Sequence, residues 1–475
     1  MLGLMRRAAI VGAGPNGLSA AITLARAGVA TTVFEAAETV GGAARTAELT
    51  LPGFRHDVGS SVYPLGVASP FFRELPLEQF GLRWIEPAAA MAHPLDDGSA
   101  VMLEHSVEAT ASGLGGDADT WRRLMGALVD GWPELCGEIL GPVVHVPRHP
   151  FLLARFGAFA MLPATGLGKM LFRGERARAL FAGCAAHSVR PLESVMSAAV
   201  GLVLGVAGQA VSWPIVEGGA QSLSDALAKY FVSVGGEIRT GVRVSNLREL
   251  GDANTILCDI SPRQLRLIAG DRLSPSYAKK MERFVYGPGV FKVDWALSEP
   301  IPWRAKECLR AATVHLGGTM EEIAAAERAP WRGEVAARPF VLVTQPSLFD
   351  ATRAPAGRHT AWAYCHVPNG WEGSAVDAIE VQMERFAPGF RECVLARHAM
   401  GTQALEQWDV NLIGGDISGG AMTLGQIVAR PALSAYRTGT KGLYLCSAST
   451  PPGGGVHGMC GHLAAVQVLR DFSVS

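Results

Sequence analysis

The sequence lacks the patterns on which several common protein classes depend. There is no GxSxG, HExxH or P-loop sequence, which excludes several classes of hydrolase. The eight cysteines form no CxxC pair, so neither a zinc ribbon nor a redox-active dithiol is expected. His145 and His149 have no further ligands at zinc-like spacing, and we therefore predict that the chain has no metal site.

An excess of either charge sign is also missing. The 42 Lys and Arg residues are interspersed among 43 Asp and Glu residues, giving a formal net charge of −1 without a basic stripe. A nucleic-acid partner is therefore not expected. Scattered cysteines are typical of a reducing compartment, and the apolar residues before Arg6 are too few for a signal peptide. These features predict a cytoplasmic protein.

Long uninterrupted apolar runs are absent. The apolar segment that starts at Phe151 is broken by Arg155, Pro163 and Lys169. A second segment, from Val195, is rich in glycine and only marginally long enough to span a bilayer. We expect both to form buried or interfacial helices. The apolar face of the helices around 151–172 also suggests the hypothesis of peripheral membrane contact, so the protein could be membrane-associated.

The most informative pattern present is a glycine-rich turn between a predicted strand and a predicted helix. An apolar strand at 8–11 precedes Gly12-Ala13-Gly14-Pro15-Asn16-Gly17, and the helical pattern that follows ends at Gly28. The next strand, VATTVFEA, closes with Glu35. The segment therefore predicts a βαβ unit with parallel, buried strands.

Each residue type in this unit has a physical reason to be there. Gly12 allows a tight turn, Gly14 allows the backbone to approach a pyrophosphate, and Gly17 allows the helix to pack closely on the strand. The helix N-terminus offers free N–H groups to the anion, while Glu35 can accept hydrogen bonds from a ribose diol. We predict a dinucleotide site here, formed by Gly12, Gly14, Pro15, Asn16, Gly17 and Glu35.

Further motifs extend along the chain. They are Gly41-Gly42-Ala43-Ala44-Arg45-Thr46, Asp57-Val58-Gly59-Ser60-Ser61, the helix VEGGAQSLSDALA, the expected strand Gly241-Val242-Arg243-Val244, and the tail LCSASTPPGGGVHGMCGH. With them the chain resembles the flavin enzymes that include the phytoene desaturases and the flavin amine oxidases. Its tail is most similar to the phytoene dehydrogenase-like branch, which includes the pyridine nucleotide-disulfide oxidoreductase domain 2 type proteins.

The resemblance implies non-covalently bound FAD and adds residues to its site. The implied contacts are Gly42, Ala43, Arg45, Ser60, Ser61, Val244, Ser447, Gly455, Val456, His457 and Met459. For Arg45 the alternative is a surface arginine. One departure is Ala448, where many relatives have an acid; a hydroxyl from Ser447 or Ser449 could replace that acid.

Two residues are candidates for catalysis. Lys292 lies in the apolar segment VFKVDWAL, which resembles the amine-oxidase strand whose lysine holds a water near the flavin. The alternative is an edge lysine, or one paired with Asp294 or a glutamate. His457 is implied to lie near the flavin and could act as an acid or base, since histidine titrates near neutrality. A packing or capping role is the alternative for His457.

The expected fold class is α/β, with a discontinuous Rossmann-like FAD-binding domain and an α+β substrate domain containing a mixed or antiparallel sheet. The FAD domain is predicted to comprise 1–70, 213–289 and 420–475, and the substrate domain 71–212 and 290–419. VFKVDWAL, FVLVTQP and HTAWAYCHVP are predicted to be strands of one sheet, and the segment from Trp213 to be a loop, a helix and a strand hairpin.

These features lead to three hypotheses about function. The first is an FAD-dependent enzyme that desaturates, saturates or isomerises an apolar polyene or isoprenoid-like substrate by hydride transfer. The second is an amine-oxidase-type flavin oxidase acting on a smaller substrate. The third is a prenyl-protein binding module without enzymatic activity. Because only one complete dinucleotide fingerprint is present, oxygen or a quinone is the expected electron acceptor. The oligomeric state is left open.

Overall fold

The computed structural model of the protein describes residues 6–474. The sequence-based expectation that there is no signal peptide depends partly on residues 1–5, which lie outside this range. Within it, the strands are β1 Arg7–Val11, β2 Ala30–Phe34, β3 Thr46–Glu48, β4 Arg55–Asp57, β5 Trp84–Ile85, β6 Ala89–Pro94, β7 Ala100–Leu103, β8 Ile215–Val216, β9 Glu237–Arg239, β10 Thr255–Cys258, β11 Gly289–Leu297, β12 Ala311–Leu316, β13 Val341–Thr344, β14 His359–Val367, β15 Val394–Met400 and β16 Leu443–Leu445.

Helices connect and cover these strands. They are α1 Pro15–Arg26, α2 Pro64–Ala68, α3 Pro70–Arg73, α4 Val107–Ser112, α5 Ala118–Asp130, α6 Trp132–Ile139, α7 Pro150–Ala160, α8 Ala164–Leu171, α9 Glu175–Ala186, α10 Ser197–Ala210, α11 Ala220–Ser233, α12 Pro262–Ala269, α13 Pro275–Glu282, α14 Met320–Arg328, α15 Val376–Phe386, α16 Phe390–Cys393, α17 Thr402–Trp408, α18 Leu424–Val428 and α19 Met459–Val474.

The first sheet is fully parallel, in the order β16-β10-β1-β2-β9. Strand β1 lies at its centre, and helix α1 connects it to β2, which confirms the predicted βαβ unit. The helix begins at Pro15 rather than after Gly17, because a proline in the first helical turn needs no N–H partner. Gly28 follows the helix with a φ of +79°.

The carboxyl ends of these parallel strands bring separate parts of the chain to one edge. Gly12 follows β1, Glu35 follows β2, Asp259 follows β10 and Cys446 follows β16. Ligands of open parallel sheets bind at this edge, where the connections leave a crevice. The sheet therefore assembles the predicted dinucleotide site from segments more than 400 residues apart in the chain.

The second sheet has the order β15-β11-β14-β13-β12-β6-β7. Its neighbours are antiparallel except for β6 and β12, which run parallel. Strands β11, β13 and β14 are the three segments predicted to share a sheet, and that prediction is confirmed. A parallel sheet combined with a mixed sheet confirms the expected fold class. The domain boundaries proposed from the sequence remain a prediction.

The predicted hairpin after α11 is wrong. Strand β9 has three residues and pairs in parallel with the edge strand β2, while Gly241–Val244 forms no strand. Gly241 adopts a φ of +68° and turns the chain. The N–H groups of Gly241 and Val242 then donate to the carbonyl oxygens of Ala37 and Glu35. Because this segment bonds to the end of β2, its alternating valines do not form a second strand.

The two apolar segments form helices that are packed to different extents. Helix α10, from the segment at Val195, is largely buried. Helix α7 is more open, and Phe151 at its start is 90% exposed. No single helix within residues 6–474 is long and apolar enough to cross a bilayer. Helices α7 and α8 have that length and composition only as a pair, and a bend of 95° separates them.

Helices α1 and α19 pack together unusually closely at Gly461. A Cβ atom built on Gly461 would lie 1.7 Å from the carbonyl oxygen of Asn16 and 3.0 Å from the amide nitrogen of Ala20. Backbone atoms cannot move aside as a flexible side chain can. The C-terminal helix can therefore approach the glycine turn only because residue 461 has no side chain.

We expect Gly461→Ala to destabilise the protein by at least about 1–3 kcal/mol, the usual cost of overpacking a tight contact. The matched control is Gly126→Ala in helix α5, where a Cβ would meet no atom within 4 Å. That change should stabilise by about 0.4–1 kcal/mol, since alanine restricts the unfolded chain. Chemical denaturation of both variants measures the difference, and equal stabilities would contradict the packing argument.

Candidate active site

One large cavity, with a volume of about 840 Å³, runs between the two sheets. At one end it is lined by the glycine turn and the carboxyl edge of the first sheet. Its middle is lined by a face of the second sheet and by the loop at 453–456, and its other end by helices α6, α7 and α10. The cavity therefore joins the predicted dinucleotide site to an apolar helical region.

Most of the predicted FAD contacts line this cavity. They are Gly12, Gly14, Pro15, Asn16, Glu35, Gly42, Ala43, Arg45, Ser60, Ser61, Val244, Ser447, Gly455 and Val456, together with the catalytic candidate Lys292. Gly17, His457 and Met459 are not among the lining residues. The chain thus brings residues from at least five separate segments into one site.

The glycine turn requires its glycines. Gly12 has a φ of +100°, and its N–H donates to the carbonyl of Phe34 at 2.8 Å. A Cβ on Gly17 would lie 2.1 Å from the Gly12 oxygen, and a Cβ on Gly14 would lie 2.9 Å from Asp259 Oδ2. Side chains at these positions would push the helix off the strand and fill the turn. The turn therefore fits a ligand that approaches the backbone closely, as a pyrophosphate does.

Glu35 is anchored to this turn. Its Oε2 accepts the N–H of Ala13 and its Oε1 accepts the N–H of Ala37, both at 2.8 Å. Each carboxylate oxygen can accept further hydrogen bonds. The carboxylate at the end of β2 is thus held in the cavity wall, where hydroxyl groups of a ribose could bond to it.

Arg45 belongs to the cavity wall and not to an outer surface. Its Nε donates to the Gly42 oxygen at 2.6 Å, its Nη2 donates to the Trp408 oxygen at 3.2 Å, and the guanidinium lies 4.5 Å from the Trp408 ring centroid. Burial lowers the pKa of Arg45, while Asp409 and Glu35 act in the opposite direction. The side chain is therefore fixed as a cation beside two carboxylates, where an anionic ligand would find a partner.

Asp259 is the main contact that the sequence analysis missed. It follows β10, is partly buried, and its Oδ2 accepts the N–H of Gly17 at 2.7 Å. Burial, the largest cause, together with the carboxylates of Asp409 and Glu35 raises the pKa of Asp259 to about 7 against the effect of the Gly17 hydrogen bond. Glu35 was predicted because an acid directly follows an apolar strand. The same pattern occurs in Thr255–Asp259 and could have identified Asp259.

The loop containing Ser60 and Ser61 is held by a buried polar network. Ser61 Oγ donates to Asp57 Oδ2 at 2.5 Å and accepts the indole N–H of Trp362 at 2.8 Å. Asp57 also forms an ion pair with the fully buried Arg353 at 2.8 Å. Burial alone would raise the pKa of Asp57, but Arg353 and the hydrogen bonds outweigh it and lower that pKa. The Ser61 hydroxyl therefore already has both a hydrogen-bond acceptor and a donor within the protein. Ser60 Oγ forms a hydrogen bond with the Tyr63 hydroxyl at 3.0 Å.

The tail places His457 outside the cavity lining. Its Nδ1 accepts the N–H of Met459 at 3.1 Å, so the ring caps helix α19. Burial lowers the pKa of His457 to about 4, which keeps the ring neutral. The structure thus gives His457 the capping geometry considered as its alternative role. Met459 begins the same helix and is buried.

Ala448 stands where many relatives have an acid, and side chains from neighbouring segments stabilise the backbone there. Arg430, which lines the cavity, donates from Nε to the Ala448 oxygen at 3.1 Å and from Nη2 to the Ser418 oxygen at 2.7 Å. Ser449 Oγ donates to the Gly419 oxygen at 2.7 Å. Ser447 and Ser449 were suggested as replacements for the acid. The Ser449 hydroxyl instead links its own loop to the loop that contains Gly419. Arg430 had no recognisable sequence pattern, because it acts only through these distant carbonyls.

Lys292 is paired with Asp294, as one of the two interpretations predicted, and it also lines the cavity. It is 2% exposed on strand β11, lines the cavity, and its Nζ forms an ion pair with Asp294. The ammonium also lies 4.6 Å from the centroid of the Trp362 ring. Burial lowers the pKa of Lys292, and Asp294 opposes that effect. The lysine is therefore paired and yet available to a molecule in the cavity.

Asp294 has further partners behind Lys292. His56 Nδ1 lies 3.6 Å from its Oδ1, and His398 Nδ1 lies 3.8 Å from its Oδ2. Burial alone would raise the pKa of Asp294, but Lys292 and these histidines lower it. His56 is itself bonded to Thr50 at 2.8 Å, and burial lowers its pKa to about 4. The lysine is thus held by a polar cluster beneath the sheet face.

The chain matches a family model described as an NAD(P)-binding Rossmann-like domain over residues 10–75. It is also similar along its length to the rat protein named pyridine nucleotide-disulfide oxidoreductase domain-containing protein 2. The two are 28% identical over 98% of this chain and 93% of the rat protein. A shorter match, 34% identical, covers 24% of this chain and 21% of one component of the limonene dehydrogenase from Castellaniella defragrans.

Solved structures agree with the fold. A putrescine oxidase bound to putrescine superimposes with a TM-score of 0.62 and 19% identity, covering 99% of this chain and 100% of that one. The resemblance predicted from the sequence motifs is therefore confirmed. The chain has the same fold as that oxidase, and the Rossmann-like match over residues 10–75 covers the segment predicted to bind a dinucleotide.

Asp259 generates a prediction about cofactor affinity. A diphosphate beside it favours the protonated acid, so FAD should bind best below the pKa of about 7. Above that value the affinity should fall by up to about tenfold per pH unit, since binding must then take up a proton. Fluorescence titration of the apoprotein from about pH 5.5 to about pH 8.5 measures this dependence.

The matched variant is Asp259→Asn, whose amide oxygen can still accept the Gly17 N–H but carries no charge at any pH. Its FAD affinity should be nearly independent of pH over the same range. Glu35 and Asp409 are unchanged in this variant, so their contributions remain in both profiles. Identical pH profiles for the two proteins would show that Asp259 does not titrate with binding.

Proposed function

We propose that the protein is an FAD-dependent oxidoreductase that desaturates, saturates or isomerises an apolar isoprenoid-like molecule. The observation that carries the proposal is the continuous cavity, which runs from the glycine turn past Lys292 into a chamber of apolar side chains. A dinucleotide fits the first part, and an extended apolar molecule fits the last. The proposed electron acceptor is oxygen or a quinone.

The residues present fit FAD. The cavity reaches Gly12, Gly14 and Asn16 at the glycine turn, Glu35 offers a carboxylate, and Arg45 offers a cation. Gly453–Val456 line the cavity ahead of helix α19, as expected for a segment beside the flavin ring. When bound, FAD would supply a two-electron acceptor for hydride from substrate carbon.

The apolar chamber supports an isoprenoid-like substrate. Its lining includes Ile139, Val143, Leu153, Phe156, Met196, Ala199, Val200, Val203, Leu204 and Trp213. Branched aliphatic and aromatic walls bind ligands mainly by excluding water, which suits a hydrocarbon chain. The partial match to a limonene dehydrogenase component points the same way, because limonene is an isoprenoid hydrocarbon.

Lys292 would act at the boundary between the two parts of the cavity. Its ammonium is directed by Asp294 and Trp362, so it can hold a water molecule or exchange a proton at a fixed place. A buried cation also stabilises negative charge that develops nearby, because the surroundings screen it little. We assign it a catalytic role because it lines the cavity, whereas His457 does not.

A second candidate is a flavin oxidase that acts on a smaller amine with oxygen as acceptor. The fold shared with putrescine oxidase and the buried Lys292 favour it. A third, a prenyl-protein binding module, needs no dinucleotide site. The cavity beside the glycine turn, which Glu35 and Arg45 line, argues against that third candidate, since a module without cofactor needs no such space.

The test begins with the cofactor and then separates the substrates. We expect the purified or FAD-reconstituted protein to be yellow and to melt at a higher temperature than the apoprotein. Anaerobic mixing with polyenes or with amines, followed by oxygen, identifies the class that reduces the flavin. Failure to take up FAD would exclude both enzymatic proposals and favour the third.

Lys292→Met should slow flavin reduction or reoxidation by roughly 10²-fold or more while FAD remains bound, as expected for loss of an acid–base group. Because this variant leaves Asp294 buried without its partner, the double variant Lys292→Met/Asp294→Asn serves as the control. Both should lose activity, and the double variant should recover stability. Unchanged rates in both half-reactions would end the assignment.

We also propose that the protein contacts membranes peripherally around the chamber. Exposed apolar residues cluster in the segments next to it, namely Val143, Val144, Val146, Phe151, Met161 and Met170. Phe151 begins helix α7, while Leu153 and Phe156 of that helix line the cavity. A membrane at this surface would supply an apolar substrate without passage through water.

The double variant Val146→Asp/Phe151→Asp should lose most of its binding to liposomes, because two apolar groups are replaced by charges that lipid disfavours. Neither residue lines the cavity, so FAD content should not change. Flotation with vesicles of neutral lipid measures the bound fraction. Wild-type protein that stays entirely in the soluble fraction would contradict the proposal.

A further inference from the structure

The second sheet presents polar side chains to a cavity whose lining is mostly apolar. Thr313 on β12 and Thr344 on β13 are direct cross-strand neighbours, and both line the cavity. They are 3% and 6% exposed, and neither hydroxyl has a hydrogen-bond partner within residues 6–474. A buried hydroxyl without a partner is costly, so such a pair requires an explanation.

A histidine pair lies beside these threonines. His315, two residues after Thr313 on the same strand face, is fully buried, and its Nε2 lies 2.9 Å from Nε2 of His187. His187 follows helix α9 and lines the cavity. Its other ring nitrogen, Nδ1, makes no hydrogen bond in the described part of the chain and is the atom that remains for a ligand.

The surroundings decide which nitrogen of each ring carries the proton. A Cβ built on Gly183 would lie 2.8 Å from His315 Nδ1, so a C–H group of that glycine points at this nitrogen. An unprotonated nitrogen tolerates that contact, whereas an N–H would be repelled by it. The proton of His315 is therefore assigned to Nε2, which donates to His187 Nε2. His187 then carries its own proton on Nδ1 and is a hydrogen-bond donor.

The pair is uncharged. Burial lowers the pKa of His187 to about 3, with His366 acting in the same direction. Burial also lowers the pKa of His315 well below its usual value. Glu327 nearby is paired with His366 at 2.8 Å and is not available to a ligand. A neutral donor surrounded by apolar walls favours an uncharged acceptor over a carboxylate or an ammonium group.

We infer that His187, with the hydroxyls of Thr313 and Thr344, binds an uncharged oxygen acceptor, such as a carbonyl, on the isoprenoid-like substrate. Strands β11, β14, β13 and β12 are successive neighbours, so Thr344 on β13 lies two strand spacings, roughly 10 Å, from Lys292, and Thr313 on β12 lies three, roughly 14 Å. The substrate is thus an oxygenated isoprenoid whose polar group is remote from the reacting carbon. The inference rests on the proposed function for the identity of the apolar chain.

Two probes with the same carbon skeleton test this site. The aldehyde farnesal should bind roughly five- to tenfold more tightly than the hydrocarbon farnesene, because a site with unpaired donors rejects a ligand that lacks the acceptor. Quenching of tryptophan fluorescence gives the affinities without depending on the flavin, since Trp213 and Trp362 line the cavity.

The variant His187→Phe should lose this preference, and His187→Asn, which keeps an N–H donor, should retain part of it. The matched control is His145→Phe. His145 also lines the cavity, but its ring nitrogens already contact Glu138 and the Pro142 oxygen. This control should discriminate between the probes as the wild type does. The melting temperature of each variant verifies that it folds.

The outcomes separate this inference from the proposed function. If neither probe binds the wild-type protein, the proposed apolar substrate class is wrong. If both bind equally, or if His187→Phe keeps the preference, the oxygen site is wrong while the proposed function stands.

A quinone acceptor offers the same carbonyl chemistry, and the direction of electron flow distinguishes it. Under anaerobic conditions the oxygenated substrate should reduce the oxidised flavin, whereas a short-chain prenylated benzoquinone should reoxidise the photoreduced flavin. If only the benzoquinone depends on His187, the site binds the acceptor, and the substrate assignment is overturned.

Discussion

The close contact between helix α1 and the first strand is the constraint on which the site depends. Gly17 can approach the Gly12 oxygen only without a side chain, and its N–H is then held by Asp259. The same contact directs the helix N-terminus at the cavity. Helix α19 adds a second close approach at Gly461, so both ends of the chain meet at one turn. These contacts thus fix the position of the glycine turn.

The electrostatics of this region are balanced by arrangement and not by an excess of cations. Glu35 and Asp409 lie near both Arg45 and Asp259, and the pKa of Asp259 is raised to about 7, mainly by burial. A carboxyl group that is partly protonated near neutrality repels a diphosphate less than an ionised one does. Lys292 and Asp294 form a buried ion pair, in which each charge compensates the other, so neither needs to be neutralised by a change of protonation.

The second sheet divides the cavity by chemistry. One row across its face carries Lys292, Tyr364, Leu342 and His315, and the neighbouring row carries Thr344 and Thr313. Since side chains alternate along a strand, residues two apart share this face, and neighbouring strands extend each row. The sheet therefore fixes the separation between Lys292 and the pair Thr313 and Thr344, while helices α7 and α10 supply apolar side chains to the cavity wall.

The sequence alone determined the βαβ unit, its glycine turn and the strands β11, β13 and β14, and most of the residues predicted to contact FAD line the cavity. These features depend on local spacing, such as glycines between a strand and a helix or an acid that closes a strand. Tertiary structure decided the rest. Asp259, Arg430 and His187 form hydrogen bonds with residues more than ten positions away in the chain. Gly241–Val244 bonds to the segment that follows β2 and so forms no hairpin, and His457 caps helix α19. Such roles depend on which segments meet in space, and no pattern of neighbouring residues records that.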